Sequence, residues 1–125
     1  MARGMTKGAV LNVSRDFSRY PSGRYAADGP GSGEAMRNLM AAYLQTNDQL
    51  TVDLTGVMGC PSSFMEEAFG GLARNAGAYG LDPTKLFDRI KVTSNIAPNA
   101  AEARRYLQNA LKGLADATRD DDTTR

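Results

Sequence analysis

The chain contains no histidine and no tryptophan, and only one cysteine, Cys60. Without histidine there is no Ser-His-Asp triad, no imidazole general base and no His-ligated metal site. A lone cysteine forms no internal disulfide and points to a reducing, cytoplasmic setting. Neither sign of charge dominates: 15 basic and 14 acidic residues leave a net charge of +1. No bulk field therefore draws the chain to nucleic acid or to an anionic membrane surface. No apolar run approaches the ~20 residues of a bilayer span, and residues 1–8 lack the apolar stretch of a signal peptide. With no nucleophile set and no metal-ligand set, the expectation is a protein that is not an enzyme, uses no cofactor and has no catalytic residues.

What is present describes one folded unit. At 125 residues, 42% of them hydrophobic, the chain can bury roughly 65–70% of the surface its unfolded form exposes. Residues 1–7 read as a flexible leader, 8–117 as the domain and 118–125 as a polar, disordered tail. Residues 9–13 are a short β-branched strand. A long Gly/Pro/Ser/Arg segment follows, residues 14–33, expected to be ordered by packing of Phe17 and Tyr25. Residues 23–26 within it fit a short second strand. Ser32 then suits an N-cap, with Glu34 in the first turn. Met36, Leu39, Met40, Tyr43 and Leu44 recur at helical spacing. Leu50, Val52 and Leu54 alternate with Thr51, Asp53 and Thr55, which predicts a strand with the apolar set in the core and Asp53 at its loop end.

Ser63 and Glu66 have capping-box spacing at the start of a second long helix. Gly70 and Gly71, costly inside a helix, predict close packing of that helix on the sheet. Asp82 with Pro83 opens a short helix. Residues 90–93 form a further strand, and Pro98 opens the last helix. Strand and helix alternate, which implies an α/β sandwich: a mostly parallel or mixed four-stranded sheet covered by three main helices.

Two regions carry candidate chemistry. Ser62 and Ser63 stand at a helix start, where free backbone N–H groups favour a phosphate; a plain N-cap is the structural alternative for Ser63. Glu66 and Glu67 are adjacent and diverge by about 100° on a helix, so they do not form a facing acid–base pair. Glu66 then caps, while Glu67 packs, complements the dipole or faces a partner. The second region is the glycine-rich turn at residues 29–33, a candidate anion loop made of Arg24, Gly31, Ser32, Gly33 and Arg37. It lacks the Lys-Ser/Thr ending of a P-loop, and Arg24 with Asp28 also fits a simple loop-fixing ion pair. Cys60 lies near a helix start that can lower a thiol pKa; a small buried residue is the alternative. Tyr20 and Tyr25 sit among arginines, but the balanced charge speaks against nucleic acid.

Three motifs resemble a known family: Asp16-Phe17-Ser18 with residues 21–25; residues 28–34 with Arg37; and residues 52–59 followed by 62–71. Together they resemble the STAS-like domains of unknown function, small bacterial domains related to anti-sigma-factor antagonists, over roughly residues 8–115. The resemblance implies a STAS-like fold and a non-enzymatic regulatory or protein-interaction role, with a kinase-like ATP-binding regulator as the implied partner. In the antagonists the switch serine lies in an Asp-Ser-(Ser/Thr)-Gly segment. The matching positions here are Ser62 and Ser63, flanked instead by Pro61 and Phe64, with Gly59 and Glu67 on the implied partner surface. The competing reading is a small-ligand or nucleotide sensor built on Arg24 and residues 29–33.

Overall fold

The computed structural model describes residues 6–123, so residues 1–5 of the expected leader and 124–125 of the expected tail lie outside the described residues. Three strands, β1 (Thr6–Asn12), β2 (Asn47–Asp53) and β3 (Ile90–Thr93), form one parallel sheet in the order β1-β2-β3. Their register aligns Ala9 with Leu50 and Leu50 with Ile90, then Leu11 with Val52 and Val52 with Val92. These rows point inward: Leu11, Leu50, Val52, Ile90 and Val92 are buried, while Val10, Lys91 and Thr93 of the alternate rows are exposed. The helices therefore cover one face of the sheet. The alternation expected along β2 holds, with Leu54 buried as well.

A single turn, α1 (Val13–Asp16), follows β1, and a 3₁₀ turn spans Ala26–Asp28. The first long helix, α2 (Gly33–Leu44), starts at an N-cap Ser32 whose hydroxyl accepts from Ala35 N–H at 3.2 Å, as its sequence predicts. After β2 comes one continuous helix over residues 62–74. It consists of α3 (Ser62–Met65), a π turn (Glu66–Gly70) and α4 (Gly71–Arg74). A 3₁₀ segment (Ala76–Tyr79), α5 (Pro83–Arg89, N-capped by Asp82) and α6 (Ala97–Thr123) complete the order.

Four expectations are corrected. The sheet has three strands among the described residues, not four. Residues 23–26 form no strand, because the Asp28 carboxylate accepts from the N–H groups of Arg24 (3.2 Å) and Tyr25 (2.9 Å), which closes a turn and removes the donors a ladder needs. The 14–33 segment is ordered by Phe17, stacked on Phe64 with centroids 6.2 Å apart, and not by Tyr25, which is 55% exposed. Backbone bonds from Ser22 N–H to Gly31 O and from Gly33 N–H to Gly23 O hold the rest. Finally, Ser63 does not cap its helix. Pro61 occupies the N-cap, the helix begins at Ser62, and no side-chain cap bond forms.

The backbones of α2 and the 62–74 helix approach closely at Gly33. A Cβ on Gly33 would lie 2.7 Å from both Glu67 Cβ and Phe64 O. Gly33→Ala should therefore destabilise the protein by about 1–3 kcal/mol through overpacking, although alanine is the better helix former by ~1 kcal/mol. A urea melt with an unchanged or higher midpoint would contradict this approach of the two helices.

Candidate functional site

All three strands run the same way, so the loops after β1, β2 and β3 gather at one edge of the sheet. Ligand and partner sites of open α/β sheets lie at this carboxyl edge. Here the loops are tied to one another. Leu54 N–H donates to Thr93 O at 2.8 Å, Met58 N–H to Arg19 O at 2.7 Å, and the Ser14 hydroxyl to Thr55 O at 3.2 Å. Asp53 sits at the end of β2, as expected. It accepts from Thr55 N–H (3.0 Å) and from the Thr93 hydroxyl (3.1 Å), and these bonds, the backbone one first, hold its carboxyl below the usual range. The loops carry exposed apolar side chains: Tyr20 (66%) after β1, Met58 (61%) after β2 and Ile96 (48%) after β3. Gly59 has φ +87° and nothing near its missing Cβ. Ser62 is exposed and Ser63 half-buried. Cys60 is half-buried, and burial pushes its thiol pKa up, so the helix start does not activate it.

The second candidate region closes on itself. Arg24 turns away from Asp28 and donates through Nη1 to Glu66 Oε1 (2.6 Å) and Glu67 Oε1 (3.3 Å). Arg37 Nη1 pairs with Glu67 Oε2, and its Nε donates to the Tyr79 hydroxyl at 2.8 Å; that hydroxyl donates to Asn38 Oδ1. Arg74 holds Glu66 Oε2 at 2.5 Å and Oε1 at 3.1 Å. Three arginines thus surround two glutamates, and the Glu67 side chain is only 7% exposed. The first-turn donors of α2 are all taken: Gly33 N–H by Gly23 O, Glu34 N–H by Arg24 O, Ala35 N–H by the Ser32 hydroxyl and Met36 N–H by Ser32 O. Ser32 is fully buried, and Gly31 packs against Ser18 and Pro21. The first-turn backbone donors that a bound anion would need are thus already used within the protein.

This cluster also explains the two glycines. A Cβ on Gly70 would lie 2.7 Å from Glu66 Oε2 and 3.1 Å from Arg74 Nη1. One on Gly71 would lie 2.8 Å from Glu67 Oε2 and 3.2 Å from Arg37 Cδ. They make room for ion pairs, not for the sheet. The π turn, a frequent mark of functional segments, places Glu66 and Glu67 so that one guanidinium reaches both. Glu66 does not cap the helix, because two charged partners outcompete a backbone N–H. Sequence reasoning missed Arg74 and Tyr79. The available signal was the Glu-Glu pair followed at once by Gly-Gly, bulky charge beside missing side chains.

With the geometry in place, comparison with known proteins gives the class. A family model described as a STAS-like domain of unknown function matches residues 32–99, more than half of the chain. The chain belongs to this family. The matched part contains α2, β2, the 62–74 helix and β3, hence Arg37, Glu66, Glu67, Arg74 and Tyr79; Arg24 lies outside it. No curated protein and no solved structure matches the chain. Among the described residues, no helix is long and apolar enough to cross a membrane, and no three His, Cys, Asp or Glu side chains gather as metal ligands.

Two outcomes are expected. Glu67→Ala leaves Arg37 without its buried counter-charge and should cost up to about 3–5 kcal/mol, read in a denaturant melt; a loss below about 1 kcal/mol would show the pair to be dispensable. Glu66 is held below the ordinary carboxylate range by its hydrogen bond from Arg74, with Arg24 adding to it. A depressed folded value means stabilisation that is present above about pH 4.5 and lost as pH falls through the folded value. Stability should therefore fall more steeply between pH 5 and 3 (about the range in which glutamates titrate) in the wild type than in Glu66→Gln. Parallel curves would contradict the assignment.

Proposed function

We propose that the chain is a non-enzymatic regulatory domain that presents residues 55–63 to a protein partner, a kinase-like ATP-binding regulator, with Ser62 or Ser63 as the phosphoacceptor. One observation carries this reading: an exposed serine at a helix start lies on a cross-tied loop edge that displays Tyr20, Met58 and Ile96. Exposed apolar side chains on a fixed scaffold suit a docking surface. Ser62, the more exposed of the two serines, is the better acceptor. Neither serine is needed as a cap, so each is free for modification.

The acidic pair that follows the serines does not oppose a phosphate, because Glu66 and Glu67 are matched by Arg24, Arg37 and Arg74. A phosphate adds about −1.5 to −2 charges beside Met58 and would repel an apolar or acidic partner face. The ligand-loop alternative has less support, since the first-turn N–H groups of α2 are already bonded within the protein.

The test has two parts. The purified chain is incubated with ATP and a kinase-like ATPase, the phosphate is mapped by mass spectrometry, and affinity is measured by calorimetry. Phosphate is expected on residue 62 or 63. Ser62→Asp and Met58→Asp should each weaken the complex at least about tenfold, the equivalent of 1.4 kcal/mol, while Ser62→Ala binds as wild type. Equal affinity across all four proteins would sink the proposal.

A further inference from the structure

On the far wall of the 62–74 helix, facing α6, lies a cleft of about 530 Å³. Its size falls within the range of small-molecule sites. Glu66 and Arg74 form one side, and Tyr106, Ala110, Gly113 and Leu114 of α6 form most of the other. The walls are largely apolar, with the Asn109 amide as a further polar group. We propose that this cleft binds a small organic anion with a flat apolar body, an aromatic carboxylate being the simplest of the class.

Three observations support it independently of the serine switch. The first is charge. Of the three arginines that face Glu66 and Glu67, Arg74, with 42% of its side chain exposed, is the least covered. Both Glu66 oxygens are already held, whereas Arg74 uses two of the five N–H donors of a guanidinium on Glu66 and keeps others for a ligand. The second is Gly113. Glycine inside a helix costs about 1 kcal/mol against alanine, and Gly33, Gly70 and Gly71 each have a close contact that requires it. Gly113 has none: no atom lies within 4 Å of its missing Cβ. Packing does not demand glycine there, and the missing side chain leaves that wall of the cleft open. The third is a fixed ring. Tyr106 carries the Arg105 guanidinium 5.0 Å from its centroid, which steadies an aromatic wall against which a flat ligand can pack.

The probes are 1-naphthoate and its neutral counterpart 1-naphthalenemethanol, titrated calorimetrically into the full chain. Naphthoate is expected to saturate the wild type and to bind at least about tenfold more tightly than the alcohol. Gly113→Leu fills the cleft, leaves every ion pair intact and favours the helix, so it should melt no lower than wild type while losing at least about tenfold in naphthoate affinity. Arg74→Gln should weaken naphthoate and leave the alcohol unchanged. Absence of saturable naphthoate binding, undiminished binding by a folded Gly113→Leu, or equal losses of both probes in Arg74→Gln would each overturn the proposal.

Discussion

The buried carboxylate of Glu67 is the constraint around which the helical layer is arranged. An almost fully covered charge is tolerated only with matched, hydrogen-bonded partners. Those partners come from separate parts of the chain: Arg37 from α2 and Arg24 from the loop before it. Meeting them fixes how α2 lies against the 62–74 helix, and that approach in turn requires Gly33. Space for the carboxylates and guanidiniums requires Gly70 and Gly71. Arg37 extends the chain of contacts through Tyr79 to Asn38, so the segment after α4 is held by the same charge. The apolar core lies beneath this cluster.

The carboxyl edge of the sheet works by a different principle. Its loops are stitched by short-range polar bonds to backbone groups, with no buried charge. Asp53 takes donors from its own loop and from the end of β3, and the loops after β1 and β2 share the Met58–Arg19 bond. The edge is therefore ordered without being covered. The backbone that carries Met58 is held by its bond to Arg19 O.

Much of this arrangement was legible from residue pattern. Period-two alternation gave the register of β2, the 3.6-residue spacing gave α2, and Ser32 and Asp82 were recognisable caps, because each is a local rule read within a few positions. The rest depends on contacts between residues 30 to 43 positions apart, such as Arg37 with Glu67 and Arg24 with Glu67. The Ser63–Glu66 spacing fits a cap, yet the helix starts one residue earlier and Glu66 has stronger partners, which no local rule reveals. The extra strand failed for a similar reason: Asp28 closes a turn over the same backbone donors. Gly70 and Gly71 mark a close approach, as a glycine pair inside a helix implies, but what they approach is the ion cluster and not the sheet. Ser62 and Ser63 stand at a helix start, as their sequence predicts, whereas the cleft beside Gly113 arises from two helices distant in sequence and leaves no local mark.

The all-parallel register has a consequence for how the chain acquires its structure. Leu11 pairs with Val52, and Val52 with Val92, each across about forty residues, and among the described residues no β-hairpin supplies a nearby start. Every ladder must wait for a long loop to close, and the closure entropy precedes any hydrogen bond that rewards it. On a chain emerging from the ribosome, β1 has no neighbour until Asp53 is out and the sheet stays incomplete until Thr93 follows. The helices can form locally in that interval, but their apolar faces remain uncovered. The interval between synthesis of β1 and arrival of β3 is thus the period of greatest exposure to aggregation.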